Sequence, residues 1–315
     1  TGVRLGREGL ASQQTLPDPQ ADAANGQVAA DRPSELVDLA VGREKGHCHV
    51  DQLTTRGATV RPNKIKQMWR DKKTATMGWL SVGHSFPAEV MARQGGFDSL
   101  CIDLQHGTSE WNNVLSMLQA ISQTDVTPFV RVNWNNPNDI MRALDLGAYG
   151  IIVPLINNAK EAAAAVAACR FPPVGFRSNG PIRAAQYGGA DYVANANDEI
   201  IVMAMIETKE GIANLDAICA TPGLDAVYIG PADLSFALGM PPRGDNPDPL
   251  HMATCDKILA AAHKAGIKCV MHCASGAFAG GAVKRGFDMV MVTSDLSCMI
   301  AGVKREMAEL KAKSA

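Results

Sequence analysis

The chain has 315 residues, 46% of them apolar and 20% charged, with a formal net charge of −2. That is the mix of a water-soluble globular protein, long enough for one large domain or two ordinary ones. The charge balance and the lack of any Lys/Arg block argue against a nucleic-acid partner, and no apolar run nears the roughly 18 residues of a membrane span.

Residues 1–60 stand apart. They are rich in Gly, Ala, Asp, Arg and Gln, show no sustained period of 2 or 3.6, and contain no apolar core of a secretory signal. All 14 methionines lie at Met68 or later. The segment is expected to be disordered, or an extension outside the native gene product, with a native start near Val60 and a folded domain over 61–315. Cys48, between His47 and His49, reads as part of a solvated tail rather than as a metal site.

Beyond residue 75 the pattern alternates. Apolar runs at 77–82, 99–104, 128–132, 150–156, 200–206, 226–229, 267–271 and 289–292 read as strands. Amphipathic stretches at 87–94, 111–122, 138–146, 159–169, 211–220, 252–265 and 276–285 read as the helices between them, with a final helix at 296–313. Near-continuous apolar strands imply a parallel sheet covered on both faces. Eight such units in about 240 residues predict an α/β fold, a (β/α)8 TIM barrel with parallel strands. The runner-up, a doubly wound open sheet, would show a Gly-rich phosphate turn after its first strand, and Val82-Gly83-His84-Ser85 is not one.

Two connections exceed what a barrel needs. Segments 171–199 and 237–250 are expected to be loops that shape an active site. The Arg243-Gly244-Asp245 in the second is read as chance. Cys101, Cys169, Cys219, Cys255, Cys269, Cys273 and Cys298 fall in predicted strands or helices, which suggests a reducing, cytoplasmic setting rather than a disulfide framework. Cys269-Val270-Met271-His272-Cys273 reads as a packed core strand.

In a (β/α)8 barrel the catalytic side chains sit just past the C-terminal ends of the strands. The second strand there ends in Asp103-Leu104-Gln105-His106 and the third in Arg131-Val132-Asn133. The fifth ends in Glu207, and the sixth is read as ending in Asp233. Glu207 and Asp233 fall at the same end of neighbouring strands, where two carboxylates can hold one hard divalent cation. Plainer roles stay open for each. Glu207 could cap the next helix, Asp233 could bond turn amides near Pro231, Arg131 could be the partner of Asp103, and His106 could pack under a loop. Asp145 falls in the last turn of a helix, against the helix dipole, which suggests either an ordinary surface acid or a hydrogen bond to a histidine.

Five segments carry a family likeness: Ile102-Asp103-Leu104-Gln105-His106, Val130-Arg131-Val132-Asn133-Trp134-Asn135, Phe171-Pro172-Pro173-Val174-Gly175-Phe176-Arg177, Ile206-Glu207-Thr208 and Gly230-Pro231-Ala232-Asp233-Leu234-Ser235. In order and spacing, over about residues 61–310, the chain resembles the 4-hydroxy-2-oxoheptane-1,7-dioate aldolase family, metal-dependent pyruvate aldolases related to macrophomate synthase. The resemblance implies that Glu207 and Asp233 bind a divalent ion (Mg2+, Mn2+ or Co2+). It also implies that His106 is the general base with Asp145 raising its basicity, and that Arg131 stabilises the developing enolate. Asp103 would support His106 and water, while Met205, Ala232, Gln105 and Asp233 would contact substrate. It further implies a homohexamer in which the last helix is exchanged between subunits.

Three positions depart from the family pattern. Met205 stands where Gln is usual, Gln105 where Glu is frequent, and Ser178 where Gly is usual. The first removes a polar substrate contact and the second a negative charge beside the metal.

An enolate needs a Schiff-base lysine or a Lewis acid. No lysine lies in 226–235, Lys268 starts its strand at the wrong end, and Lys209 alone is near the rim. The Lewis-acid route fits better. The expected activity is therefore cleavage of a 4-hydroxy-2-oxo acid to pyruvate and an aldehyde. The alternatives are a metal-dependent oxaloacetate decarboxylase and a silent barrel that serves as a binding subunit.

Overall fold

The computed structural model describes residues 60–314, so the expected N-terminal extension, with His47, Cys48 and His49, lies outside the described residues. The strands are β1 (Ala75–Leu80), β2 (Ser99–Asp103), β3 (Thr127–Arg131), β4 (Gly150–Val153), β5 (Ile201–Ile206), β6 (Ala226–Ile229), β7 (Lys268–His272) and β8 (Met289–Ser294). They form a closed barrel in chain order, every neighbouring pair parallel, with β1 pairing β8. The helices are α1 (Lys64–Arg70), α2 (Ser85–Gln94), α3 (Trp111–Ile121), α4 (Pro137–Asp145), α5 (Ala159–Cys169), α6 (Ile182–Gly188), α7 (Tyr192–Glu199), α8 (Lys209–Ala213), α9 (Leu215–Cys219), α10 (Pro231–Ala237), α11 (Pro249–Lys264), α12 (Gly276–Arg285) and α13 (Asp295–Ser314). The predicted (β/α)8 barrel is the observed fold.

Period-2 alternation builds two cores from the same strands. In β5, Ile201, Met203 and Met205 point into the barrel, while Val202, Ala204 and Ile206 pack outward under the helices. The barrel's N-terminal end is closed by α1, which the sequence pattern did not suggest. Asn63 caps this helix and donates to the carbonyls of Tyr149 and Glu199, and Ile65 and Trp69 enter the inner core. Burying Ile65 alone contributes about 1.5–3 kcal/mol.

Several boundaries differ from expectation for local reasons. The predicted 211–220 helix is two helices broken at Asn214, whose side chain donates to the Asn157 carbonyl at 2.9 Å. Strand β4 stops at Val153, because Pro154 follows and Leu155 takes a positive φ of 54°. Asp233 does not end a strand. Gly230 and Pro231 start α10, and Asp233 falls in its first turn, where the helix dipole favours a negative charge.

Segment 171–199 needs a larger correction. It follows a helix and precedes a strand, so it lies at the N-terminal end of the barrel within this chain, and it is folded into α6 and α7 rather than a loop. None of its residues lines the cavity at the opposite end.

Candidate active site

The register of the strands brings the chemistry together. Asp103 pairs with Arg131 across β2 and β3, and Ile206 pairs with Ile229 across β5 and β6, which sets Glu207 level with Gly230. One cavity at the C-terminal rim is walled by His106, Arg131, Met205, Glu207, Ala232 and Asp233, with Trp79 and His272 among its other walls.

Arg131 is the cavity's fixed positive charge. Its Nε donates to Asp103 Oδ1 at 2.8 Å and its Nη2 to Asp103 Oδ2 at 2.6 Å. Asp103 also accepts from Trp79 Nε1 at 3.1 Å and from the amides of Gln105 and His106 at 3.0 and 3.3 Å. Burial alone would raise the Asp103 carboxyl, but the Arg131 hydrogen bonds and charge hold it below the ordinary value. Burial would likewise lower Arg131, and Asp103 holds it above its ordinary value. The plain reading of Arg131 as the partner of Asp103 is thus correct as far as it goes. It leaves Nη1 at the cavity with one weak acceptor, Met205 Sδ at 4.0 Å.

Glu207 is 3% exposed. Its Oε1 accepts from the Leu155 amide at 2.9 Å, which is what the left-handed turn after β4 accomplishes. Among the described residues nothing donates to Oε2. Burial, and then repulsion from Asp233, push its carboxyl up to about 7, against the Leu155 bond and Arg131. A cation beside the pair would relieve both effects. Among the described residues no three His, Cys, Asp or Glu side chains gather as a ligand group. A site closed by protein ligands alone, as for structural zinc, is therefore not built here. Two carboxylates with room for water or substrate oxygens fit Mg2+ or a similar hard ion, and the residues present fit that group.

His106 is exposed at the rim, and no hydrogen bond to its ring is seen among the described residues. Among the described residues no lysine walls the cavity, and Lys268 pairs with Asp288 at 2.9 Å at the strand's other end.

The amino-acid sequence agrees with known proteins at this point. The profile of the HpcH/HpaI aldolase/citrate lyase family matches residues 76–301. The chain belongs to this family. It is 38% identical to the hydroxypyruvate/pyruvate aldolase of Rhizorhabdus wittichii over 250 residues, 79% of this chain and 99% of that one. It is 37% identical to a 4-hydroxy-2-oxo-heptane-1,7-dioate aldolase of Salmonella arizonae over 229 residues, 72% of this chain and 86% of that one. An HpcH/HpaI aldolase/citrate lyase family protein from Burkholderia cenocepacia superposes with a TM-score of 0.74 at 33% identity, covering 79% of this chain and 99% of that one.

Two expected site residues lie elsewhere in this family member. Asp145 ends α4 and accepts from Arg177 Nη2 at 2.8 Å. Among the described residues no histidine bonds to it, so the expected contact with His106 is not made within this chain. The helix runs back to the barrel's N-terminal end, and this carries its last turn away from the rim. Gln105 is not a wall of the cavity, and its Oε1 is enclosed without a hydrogen-bond partner among the described residues.

Other contributors carry no signal in the sequence pattern. By pattern Trp79 is only one residue of an apolar strand, yet it underlies Arg131 at 4.9 Å and bonds Asp103. Asp245 accepts from the Ala274 amide and the Ser275 hydroxyl, both at 2.7 Å. It pins 237–250 so that Gly244 forms part of the cavity wall. The carboxylate in the apparent chance tripeptide therefore has a structural task.

Gly230 is required by closeness. A Cβ there would collide with Glu207 Oε2. Gly230→Ala is expected to weaken divalent-cation binding about ten- to a hundredfold with the barrel intact, by analogy with loss of a ligand-orienting group. Titrating Mn2+ into both proteins by calorimetry checks this.

Glu207 also predicts a pH dependence in the metal-free protein. Its proton is held more tightly in the folded chain than in the unfolded one, so stability falls as pH rises from about 4.5 to about 7. The cost at the upper end is on the order of 3 kcal/mol. Urea unfolding in EDTA is expected to show wild type losing ground to Glu207→Gln across that window. Parallel curves would contradict the burial argument.

Proposed function

We propose that this chain is a divalent-metal-dependent aldehyde-lyase that cleaves a 4-hydroxy-2-oxo acid to pyruvate and an aldehyde, and runs the reverse aldol addition. What carries the reading is the convergence of Glu207, Asp233, Arg131 and His106 on one cavity that no lysine enters among the described residues. Similarity to aldolases acting on pyruvate, hydroxypyruvate and 4-hydroxy-2-oxo-heptane-1,7-dioate supports it.

Glu207 and Asp233 would hold the cation, Mg2+, Mn2+ or Co2+. When bound, it supplies Lewis-acid polarisation of the substrate's 2-oxo group. Arg131 Nη1 donates to the keto oxygen as charge develops there, and Asp103 keeps the guanidinium from turning away. His106, at the rim, takes the C4 hydroxyl proton directly or through water and returns it in the synthetic direction. The Ala232 amide and Met205 bound the acid's remaining surface. Within a single chain Asp145 bonds Arg177 and Gln105 does not wall the cavity, so neither is given a step in the mechanism.

A homo-oligomer is part of this proposal. Leu296, Met299, Ile300, Val303, Met307 and Leu310 recur at helical spacing on α13, and each is at least 44% exposed. A stripe of that length fits exchange of the helix with another copy, as in the hexamer the family resemblance implies. Among the described residues no helix is long and apolar enough to cross a membrane; a cytoplasmic location remains part of the proposal, on the cysteine usage.

The test is a metal-supplemented aldol screen of pyruvate and hydroxypyruvate against an aldehyde panel, with oxaloacetate incubated alongside. Metal-dependent aldol product is the expected result. Activity that survives EDTA would sink the mechanism, and pyruvate from oxaloacetate with no aldol product would favour a decarboxylase.

A further inference from the structure

His272 ends β7 inside a segment that the sequence marks as core, yet it is only partly buried and walls the same cavity as Arg131, Glu207 and Asp233. Its ring stands edge-on to Trp79, with centroids 4.9 Å apart at 79°. Its Nδ1 lies 2.8 Å from the Tyr228 hydroxyl. Tyr228 comes from β6 and is fully buried in the inner core.

The direction of this hydrogen bond follows from Tyr228. The phenol makes no other hydrogen bond among the described residues. Were His272 to donate, the buried phenolic O–H would have no acceptor, at a cost that buried polar groups rarely bear. So Tyr228 donates and Nδ1 accepts, which leaves the ring proton on Nε2. Among the described residues Nε2–H has no partner, and the ring's open side is the cavity. Burial keeps the Tyr228 phenol well above its ordinary range, so it stays a donor. Burial, and then Arg131, lower His272 to about 3, so the imidazole is neutral through the physiological range. That removes it from acid–base chemistry and leaves it as a hydrogen-bond donor of fixed direction.

We propose that His272 binds substrate, its Nε2–H donating to an oxygen of the 2-oxo acid, with Tyr228 as the positioning residue that fixes the tautomer. The inference rests on the aldolase reading above for the identity of that acid. The chemistry of the cavity makes the donor useful. Glu207, Asp233 and the nearby Asp103 are all carboxylates, Arg131 alone among the described walls bears a fixed positive charge, and an anionic substrate gains from neutral donors as well. Trp79 lies against both Arg131 and His272, so the neutral donor and the guanidinium border the same cavity from separate strands, β7 and β3.

Two measurements test it. In metal-loaded wild type with 15N-labelled histidine, His272 is expected to show a pyridine-type Nδ1 and a pyrrole-type Nε2, unchanged through the neutral range. The reverse pattern, or a titrating ring, overturns the proposal whatever the activity. In the aldol assay, His272→Phe is expected to raise KM for the 2-oxo acid about ten- to a hundredfold with a smaller change in kcat, as for loss of a bond to a charged oxygen. His272→Gln, whose amide reaches the Nε2 position, is expected to recover most of that loss, and His272→Asn, which reaches only Nδ1, is not. An active wild type matched by His272→Phe, or equal losses in the Phe and Gln variants, overturns this inference and leaves the aldolase reading standing. A wild type inactive across the whole panel defeats that reading instead.

Discussion

Glu207→Gln is expected to cut metal-dependent kcat/KM by about a thousandfold or more while leaving the barrel folded. The substitution is nearly isosteric. The amide oxygen can still accept from the Leu155 amide, so the turn after β4 keeps its anchor. What disappears is the negative charge at Oε2, to which nothing donates among the described residues. Lewis-acid stabilisation is worth several kcal/mol, and each 1.36 kcal/mol is about tenfold in rate. Stability moves the other way, because a neutral amide does not carry the burial penalty that lifts the glutamate to about 7. The paired measurement is steady-state kinetics with titrated Mn2+ beside thermal unfolding in EDTA. Near-normal kcat/KM in the variant would remove Glu207 from the metal site. Lost activity together with lost stability would mean that its role is structural.

The barrel was legible because its signal is redundant. Eight apolar runs and intervening helices of the right length leave little else to build, and even runs misjudged at their ends, such as 150–156, point to the same sheet. The rim residues were legible because a strand's C-terminal end is a fixed place in this fold. Legibility failed where local pattern does not encode direction. Segment 171–199 looked like an active-site loop on length alone, but its position between a helix and a strand assigns it to the opposite end. The expected Asp145–His106 contact is not made within the chain for the same reason, since the last turn of α4 returns to the floor of the barrel. His272 and Tyr228 were hidden by burial: in a continuous apolar run, a histidine whose Nδ1 is satisfied by a phenol looks no different from packing. Leu155 was hidden because a left-handed backbone at a leucine has no sequence signature.

Met205 bears on which substrate this member takes. A side-chain amide at this position would offer a donor and an acceptor beside Arg131 Nη1, whereas the thioether 4.0 Å away offers only a weak acceptor. With fewer polar groups on the β5 wall, more of the acid's recognition falls to Arg131 and to donors elsewhere on the rim. The His272 proposal and the Met205 departure therefore concern opposite sides of one problem.

Asp103→Ala is expected to cost both stability and activity, and the two losses have one cause. Five donors meet on this carboxylate: Trp79 Nε1, the Gln105 and His106 amides, and Nε and Nη2 of Arg131. The side chains of the pair are 3% and 9% exposed, so removing Asp103 strands a charge with little solvent to take it up. Such a break costs about 3–5 kcal/mol, which for a domain of this size lowers Tm by roughly 10 °C. Activity falls further than stability alone explains, because Arg131 loses its orientation and the turn that carries His106 loses its acceptor. The double variant Asp103→Leu with Arg131→Met separates the causes. With both charges gone, the penalty of an unpaired buried cation disappears, so the double variant should melt above Asp103→Ala while remaining inactive. If it melts below the single variant, the ion pair is itself a net source of stability. Arg131 would then be held in the barrel for folding as much as for the substrate.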